Sequence, residues 1–347
     1  MRRLGKLVLF VFWFWYLPTA AIAGPADGRF DIYWIDVEGG AATLMVTPAG
    51  EGVLIDTGNP GRRDPDRIVQ VATREAGLRR IDHLIVTHYH RDHYGGAATL
   101  ARMLPIVNVH DNGIFDGMPE RPEPEYFEFP CGERHVIDPG DRLPLLQADG
   151  ADATQVEMTC LGTRKQFIAP PAGAETNEEI CALHQPMERD ASDNANSVVM
   201  LVRFGTFEFL DAGDLTWTQE QRLVCPVNLP GIVDVYQVTH HGLETSNNPV
   251  VLRSVQPTVA VMNNGVTKGC SARTFAALGE TESLQAIYQM HKNLRPDGEV
   301  NNTPDDHIAN LPRECDGNFI KLSVAPDAKS YIVSIPATGH RRAFKTK

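Results

Sequence analysis

The sequence predicts an α/β fold, a four-layer αβ/βα sandwich with two sheets face to face and helices outside. Two observations carry this reading. Short apolar strands with intervening helix-length segments occur in both halves of the chain. One of those strands runs directly into His88-Tyr89-His90-Arg91-Asp92-His93, where four ligand-type side chains fall within six positions.

The elements follow in order. Phe30 to Val37 alternates with a period near two, Gly39-Gly40 makes a turn, and Ala42 to Thr47 and Gly52 to Asp56 continue as strands. Asp56-Thr57-Gly58-Asn59 closes the third strand in a tight loop, and Arg67 to Leu78 reads as an amphipathic helix. Ile81 to Thr87 is a buried strand ending at His88. Gly95-Gly96 opens a helical stretch through Met103, and Ile106 to Val109 is a further strand. After the strand Val156 to Leu161, Ser197 to Arg203 and Thr206 to Asp211 flank the hairpin turn Phe204-Gly205. Val233 to Thr239 runs into His240-His241, and Pro257 to Met262 ends at Asn263-Asn264-Gly265. Ala272 to Leu278 is helical, and Gln285 to Met290 ends at His291. Phe319 to Val324 and Tyr331 to Ile335 close the chain as a hairpin. Residues 111–150 and 162–196 are long polar stretches rich in Pro, Gly and acid, expected as loop insertions of which one covers a site.

The N-terminus predicts export. Arg2, Arg3 and Lys6 precede an unbroken apolar run, Leu7 to Leu17, then Pro18 and the small-residue site Ala21-Ile22-Ala23. This is the pattern of a secretory signal peptide over 1–23, and the run is shorter than the roughly 20 residues that span a bilayer. A single domain over 24–347, periplasmic or secreted and without a stable membrane anchor, is expected. The chain has 32 Lys and Arg against 44 Asp and Glu, a net charge of −12. Without the three N-terminal cations, 29 remain against 44, or −15. Such a field opposes tight duplex DNA binding unless a local basic groove overcomes it. Six cysteines (131, 160, 181, 225, 270 and 315), none in a C-x-x-C pair, predict at least one disulfide in an exported chain.

The histidine motif is the chemical centre. In an extended loop His88 and His90 project to one side and can share an ion. Asp92 and His93, where the chain turns into Gly95-Gly96, can face a second ion roughly 3.5–4 Å away. Imidazole and carboxylate suit Zn²⁺, with Mn²⁺ or Fe as other occupants. Asp211 and Asp214 at a strand end make a further cation trap.

His-x-His-x-Asp-His after a strand, with an Asp-Thr-Gly loop before it, resembles the metallo-β-lactamase superfamily. Asn194-Ala195-Asn196-Ser197, Ala212-Gly213-Asp214 and His240-His241-Gly242 make the chain similar to free-standing relatives of the hydrolase domain of ComEC/Rec-type competence proteins. The resemblance covers roughly residues 30–335. It implies a two-zinc site in which His88 and His90 hold the first ion, Asp92 and His93 the second, and Asp214 bridges both. His240 completes the second ion, with His241 as its substitute or as a substrate contact. Asp56 supports the loop by hydrogen bonding. Many members place a third histidine for the first ion four residues before a strand-opening serine. Here that position is Asp193, which can offer an oxygen, as can Asn194 or Asn196, or be a plain loop acid. Asn263 and His291, at strand ends, are candidate substrate contacts.

These residues predict metal-assisted hydrolysis, with Asp92 and Asp214 as the catalytic carboxylates and activated water attacking an electrophilic centre. The resemblance implies a phosphodiester substrate, nucleic acid or a small phosphodiester, and the acidic charge favours the smaller. Lactone, thioester or β-lactam hydrolysis is the alternative chemistry. A metal-binding periplasmic protein without turnover is the alternative class.

Overall fold

A computed structural model describes residues 27–150 and 153–347. The leader expected over 1–23 lies outside the described residues. In chain order, the first strands are β1 (Phe30–Trp34), β2 (Thr43–Val46), β3 (Gly52–Ile55), β4 (Ile81–Ile85), β5 (Ile106–Asp111) and β6 (Glu133–Val136). Then come β7 (Val156–Thr163), β8 (Gln166–Phe167), β9 (Val199–Phe204), β10 (Phe207–Asp211), β11 (Val235–Gln237), β12 (Val259–Met262), β13 (Ala286–His291) and β14 (Ile308–Asn310). The last are β15 (Ile320–Val324), β16 (Ser330–Ile335) and β17 (His340–Lys345).

They form two mixed sheets. One has the order β17-β16-β15-β1-β2-β3-β4-β5-β6, the other β14-β13-β12-β11-β10-β9-β7-β8. In the first, β3 to β6 run parallel; in the second, β10 to β14 do. Each parallel block sends its strand ends to one rim, where loops carry the chemistry of open α/β sheets.

Strand alternation builds the layers. Phe30, Ile32 and Trp34 of β1 pack against Phe204, Phe207 and Phe209 of the opposite sheet. Their neighbour Tyr33 points outward with Leu44 and Leu54 onto Ile68, Val71 and Leu100 of the first helical layer. On the other side Leu201, Leu210 and Ala260 meet Leu223, Val251 and Leu278. Strands covered on both faces read as near-continuous apolar runs, which is why β9 and β12 are so plain in the sequence. One polar tie crosses the inner layer: Gln237 Oε1 accepts from Trp34 Nε1 and Thr43 Oγ1, both at 2.8 Å.

Several expectations are adjusted. The first helix spans Arg63–Gln70 and continues as a π-helical turn, Val71–Glu75, rather than running over 67–78. Pro65 sits in the first turn, where a missing N–H costs nothing. The strand expected over 233–239 shortens to β11 and gives way to a 3₁₀ turn, Thr239–Gly242. All four edge strands, β6 and β17 of the first sheet and β8 and β14 of the second, were absent from the sequence reading; Glu-Arg-His-Val in β6 and His-Arg-Arg-Ala-Phe-Lys in β17 are polar because they lie at sheet edges. The long stretches are partly ordered by their own elements, a helix at Pro124–Glu128 and another at Glu178–Cys181. The Cys181–Cys225 disulfide ties the second stretch to the end of the helix Trp217–Val224. Cysteines 131, 160, 270 and 315 are free.

Phe209 is fully buried and stands edge-on to Trp34 at 5.7 Å, bridging the sheets. Phe209→Ala is expected to cost about 3–5 kcal/mol through the cavity it leaves, read from the shift in urea midpoint at unchanged slope.

Candidate metal centre

The loops after four strands, β3, β4, β10 and β11, converge on the rim. β3 ends at Asp56, whose backbone is left-handed (φ 62°). Its carboxylate accepts from the Thr87 N–H at 2.8 Å and Thr87 Oγ1 at 2.7 Å, and contacts His93 Nδ1 at 2.6 Å. Asp56 thus occupies the inner nitrogen of His93 and turns Nε2 toward the rim, the supporting role expected of it. Gly95-Gly96 lets the two loops close: a Cβ on Gly96 would run into the Thr57 carbonyl.

Three side chains gather around His93 Nε2. Asp214 Oδ2 lies 3.2 Å away, His241 Nε2 3.3 Å and Asp92 Oδ2 3.7 Å. His241 Nε2 is 3.3 Å from both Asp92 Oδ2 and Asp214 Oδ2. Nitrogen and oxygen donors at about 2.0–2.1 Å from a tetrahedral zinc lie roughly 3.3 Å from one another. The spacing and the donor types therefore fit a divalent cation held by Asp92, His93, Asp214 and His241. His93, Asp214 and His241 are buried, and Asp92 is partly open.

The charges of the cluster hold one another in place. Burial alone would raise the Asp214 carboxyl, but His241, His93 and His240 outweigh it and keep it well below the usual range. Burial disfavours charge on His93, yet Asp214, Asp56 and Asp92 overcome it and raise its pKa well above that of a free imidazole. A cation would displace protons from the cluster, so its affinity falls as pH falls.

The structure reverses the preference between adjacent histidines. His240 and His241 both adopt left-handed backbone (φ 54° and 55°). This double turn sends fully buried His241 into the cluster, where its Nδ1 is fixed by the Asn263 carbonyl at 3.2 Å. His240 lies beside the cluster, Nε2 at 3.5 Å from Asp214 Oδ2 and 3.3 Å from Asn194 Nδ2. Burial lowers its pKa to about 4. Such backbone costs on the order of 1–3 kcal/mol per residue and concentrates at functional sites.

His88 and His90 pair with each other, Nε2 to Nδ1 at 3.0 Å, with the His88 ring 4.1 Å from that of His93. Burial, with His93 nearby, drives the His88 pKa down and leaves its ring neutral. Asp193 does not join them. Its Oδ2 accepts from the Tyr89 N–H at 2.7 Å and its Oδ1 from Asn196 Nδ2 at 2.9 Å, so it braces the loop between the two histidines. Burial raises its carboxyl pKa. His291 also leaves the rim: its ring is fully buried and contacts Asp36 at 2.6 Å. Asn263 contributes through its carbonyl instead of its amide.

Two residues at the site escaped the sequence reading. Lys268 Nζ forms an ion pair with Asp92, and Glu120 Oε1 meets His90 Nε2 at 3.2 Å. Lys268 could have been found as the cation in the loop that follows β12 to the rim; Glu120, within an insertion, carried no signal. Asp56→Ala is expected to weaken zinc binding roughly ten- to a hundredfold by freeing the His93 ring. Competition against a chromophoric chelator measures it, with circular dichroism confirming the fold; unchanged affinity would show that Asp56 orients nothing.

Residues 35–157 match the metallo-β-lactamase superfamily. The chain is 26% identical over 261 residues to the competence protein ComA of Neisseria gonorrhoeae, covering 75% of this chain and 30% of that protein. It is 28% identical over 234 residues to recombination protein 2 of Haemophilus influenzae, covering 67% of this chain and 24% of that one. A metal-dependent hydrolase of Cupriavidus taiwanensis is 36% identical over 89 residues, 24% of this chain and 28% of that protein. The matched region thus spans under a third of each of these relatives. With the two-sheet sandwich and the His-x-His-x-Asp-His loop in place, residues 35–157 carry a metallo-β-lactamase superfamily domain, and the chain is similar to competence proteins.

Proposed function

We propose that this protein is an exported, metal-dependent hydrolase of phosphodiesters, small ones or single nucleic-acid strands, working in the periplasm or outside the cell. The observation that carries the reading is the Asp92, His93, Asp214 and His241 cluster with Lys268 beside it. A bound divalent cation, with zinc the best match to the donors, supplies Lewis acidity toward the phosphoryl group and acidifies an attacking water. Lys268 neutralises an anionic phosphoryl oxygen, a contact that a neutral lactone or thioester would use less. Asp92 serves as a donor and not as the proton carrier. Burial works against its charge, but His93, His241 and Lys268 hold it as carboxylate far below the usual range. His240, neutral near pH 7 and beside Asp214, is the group placed to take a proton at Nε2.

Relatives named for competence and recombination, and one named a metal-dependent hydrolase, support the substrate and reaction class. The chain's net charge of −12 supports small phosphodiesters over duplex DNA. A second reading, metal binding without turnover, is favoured by the His88–His90 pair, which lacks the braced-away Asp193 as a third ligand. On it, or on a one-ion enzyme, the first position holds its ion weakly.

The test is turnover of bis(p-nitrophenyl) phosphate, a short single-stranded oligonucleotide and a simple lactone. Chelation is expected to abolish phosphodiester turnover, and Zn²⁺ or Mn²⁺ to restore it. Asp214→Asn should remove activity while the fold survives. Lys268→Ala should lower kcat/KM for phosphodiesters roughly ten- to a hundredfold, the worth of a charged hydrogen bond. Full turnover in Asp214→Asn would sink the site assignment. Turnover of the lactone alone would transfer the enzyme to the other chemistry, and metal binding with no turnover would favour the second reading.

A further inference from the structure

His291, drawn away from the rim, belongs to another convergence of ligand-type groups. Asp36 lies just beyond β1, His291 ends β13, and Cys315 sits in the loop between β14 and β15. Asp36 Oδ1 is 2.6 Å from His291 Nε2, and Asp36 Oδ2 is 3.1 Å from Cys315 Sγ. One donor atom from each of the three lies within 4.8 Å of the other two. Asp36 and His291 are fully buried, while Cys315 is partly open to solvent and free of any disulfide. The His291 ring thus presents Nε2 to Asp36, while its Nδ1 is buried without a hydrogen-bond partner.

We propose that Asp36, His291 and Cys315 form a second metal site, separate from the Asp92–His241 cluster and suited to zinc. Thiolate, imidazole and carboxylate together are a zinc donor set, and the partly open side leaves a place for water as a fourth ligand. Donors around a tetrahedral zinc stand roughly 3.3–3.6 Å apart, so entry of the ion widens each contact by roughly half an ångström. The charges balance. Cys315 gives its thiol proton to solvent on binding, and its thiolate and Asp36 neutralise the ion. Arg67, at 2.9 Å from Asp36 Oδ2, is offset by Glu38 at 3.2 Å. Arg67 holds the carboxylate from behind, as outer hydrogen bonds do for metal-bound carboxylates. The site pins the C-terminal loop to the segment 36–40, whose Gly39 packs against Gly265 and Lys268 of the loop at the rim. Its role is structural: it braces the loop that carries Lys268.

Cobalt distinguishes the two sites, because the rim cluster contains no sulfur. Full-length protein stripped of metal and titrated with Co²⁺ is expected to develop a near-ultraviolet thiolate-to-cobalt band. That band should vanish in Cys315→Ser, persist in Cys131→Ser, and persist in Asp214→Asn. The wild-type protein supplies a second measurement: Zn²⁺ should slow alkylation of Cys315 at least about tenfold, read by peptide mass spectrometry. No thiolate band at saturating Co²⁺, a band that survives Cys315→Ser, or alkylation indifferent to Zn²⁺ would each overturn the proposal. None of these readouts depends on hydrolysis, so failure here is distinct from failure of the hydrolase reading.

Discussion

The carboxylate of Asp56 is the contact on which the rim depends. One buried side chain joins the end of β3 to the end of β4 and fixes a ring of the histidine loop. The strained backbone at Asp56 is held because all three bonds are made at once. Remove that anchor and His93 loses its orientation and one of the three carboxylates, after Asp214 and with Asp92, that raise its pKa. The sheets supply the frame for this. Parallel blocks in each deliver their strand ends to the same rim, and the aromatic layer packs the two sheets together behind it.

Much of this was legible because the same residues satisfy local and global demands. An apolar strand followed at once by His-x-His-x-Asp-His can be read without a structure, since burial dictates the strand and the metal chemistry dictates the loop. Asp56 and Asp214 were legible for the same reason, both lying at strand ends. What sequence could not decide was conformation within a turn. His240 and His241 are adjacent and chemically identical, and only the double left-handed turn selects which ring points inward. Asp193 has a suitable position along the chain, but its oxygens are consumed by the Tyr89 N–H and Asn196. Lys268 and Glu120 come from loops with no periodicity, and β6 and β17 are too polar to announce themselves.

The two polar insertions are joined to the centre and are not mere surface decoration. The first sends Glu120 to His90 and packs Tyr126 against Tyr89 and Tyr94. The second ends in the turn carrying Asp193 and Asn194, and the Cys181–Cys225 bridge fastens its middle to the outer helical layer. Both therefore shape the entrance to the rim, where differences in substrate preference among proteins of one fold reside.

The position of β1 has a kinetic consequence. Its partners are β2, next to it in the chain, and β15, where Phe30 aligns with Val324 and Trp34 with Ile320. The centre of the first sheet is thus closed by a segment made nearly three hundred residues later. Topologies dominated by such distant pairings fold slowly, and a ribosome-bound chain cannot complete this one before Val324 has emerged. Until then the apolar edge of β1 stays open, available to a chaperone or to a second nascent chain.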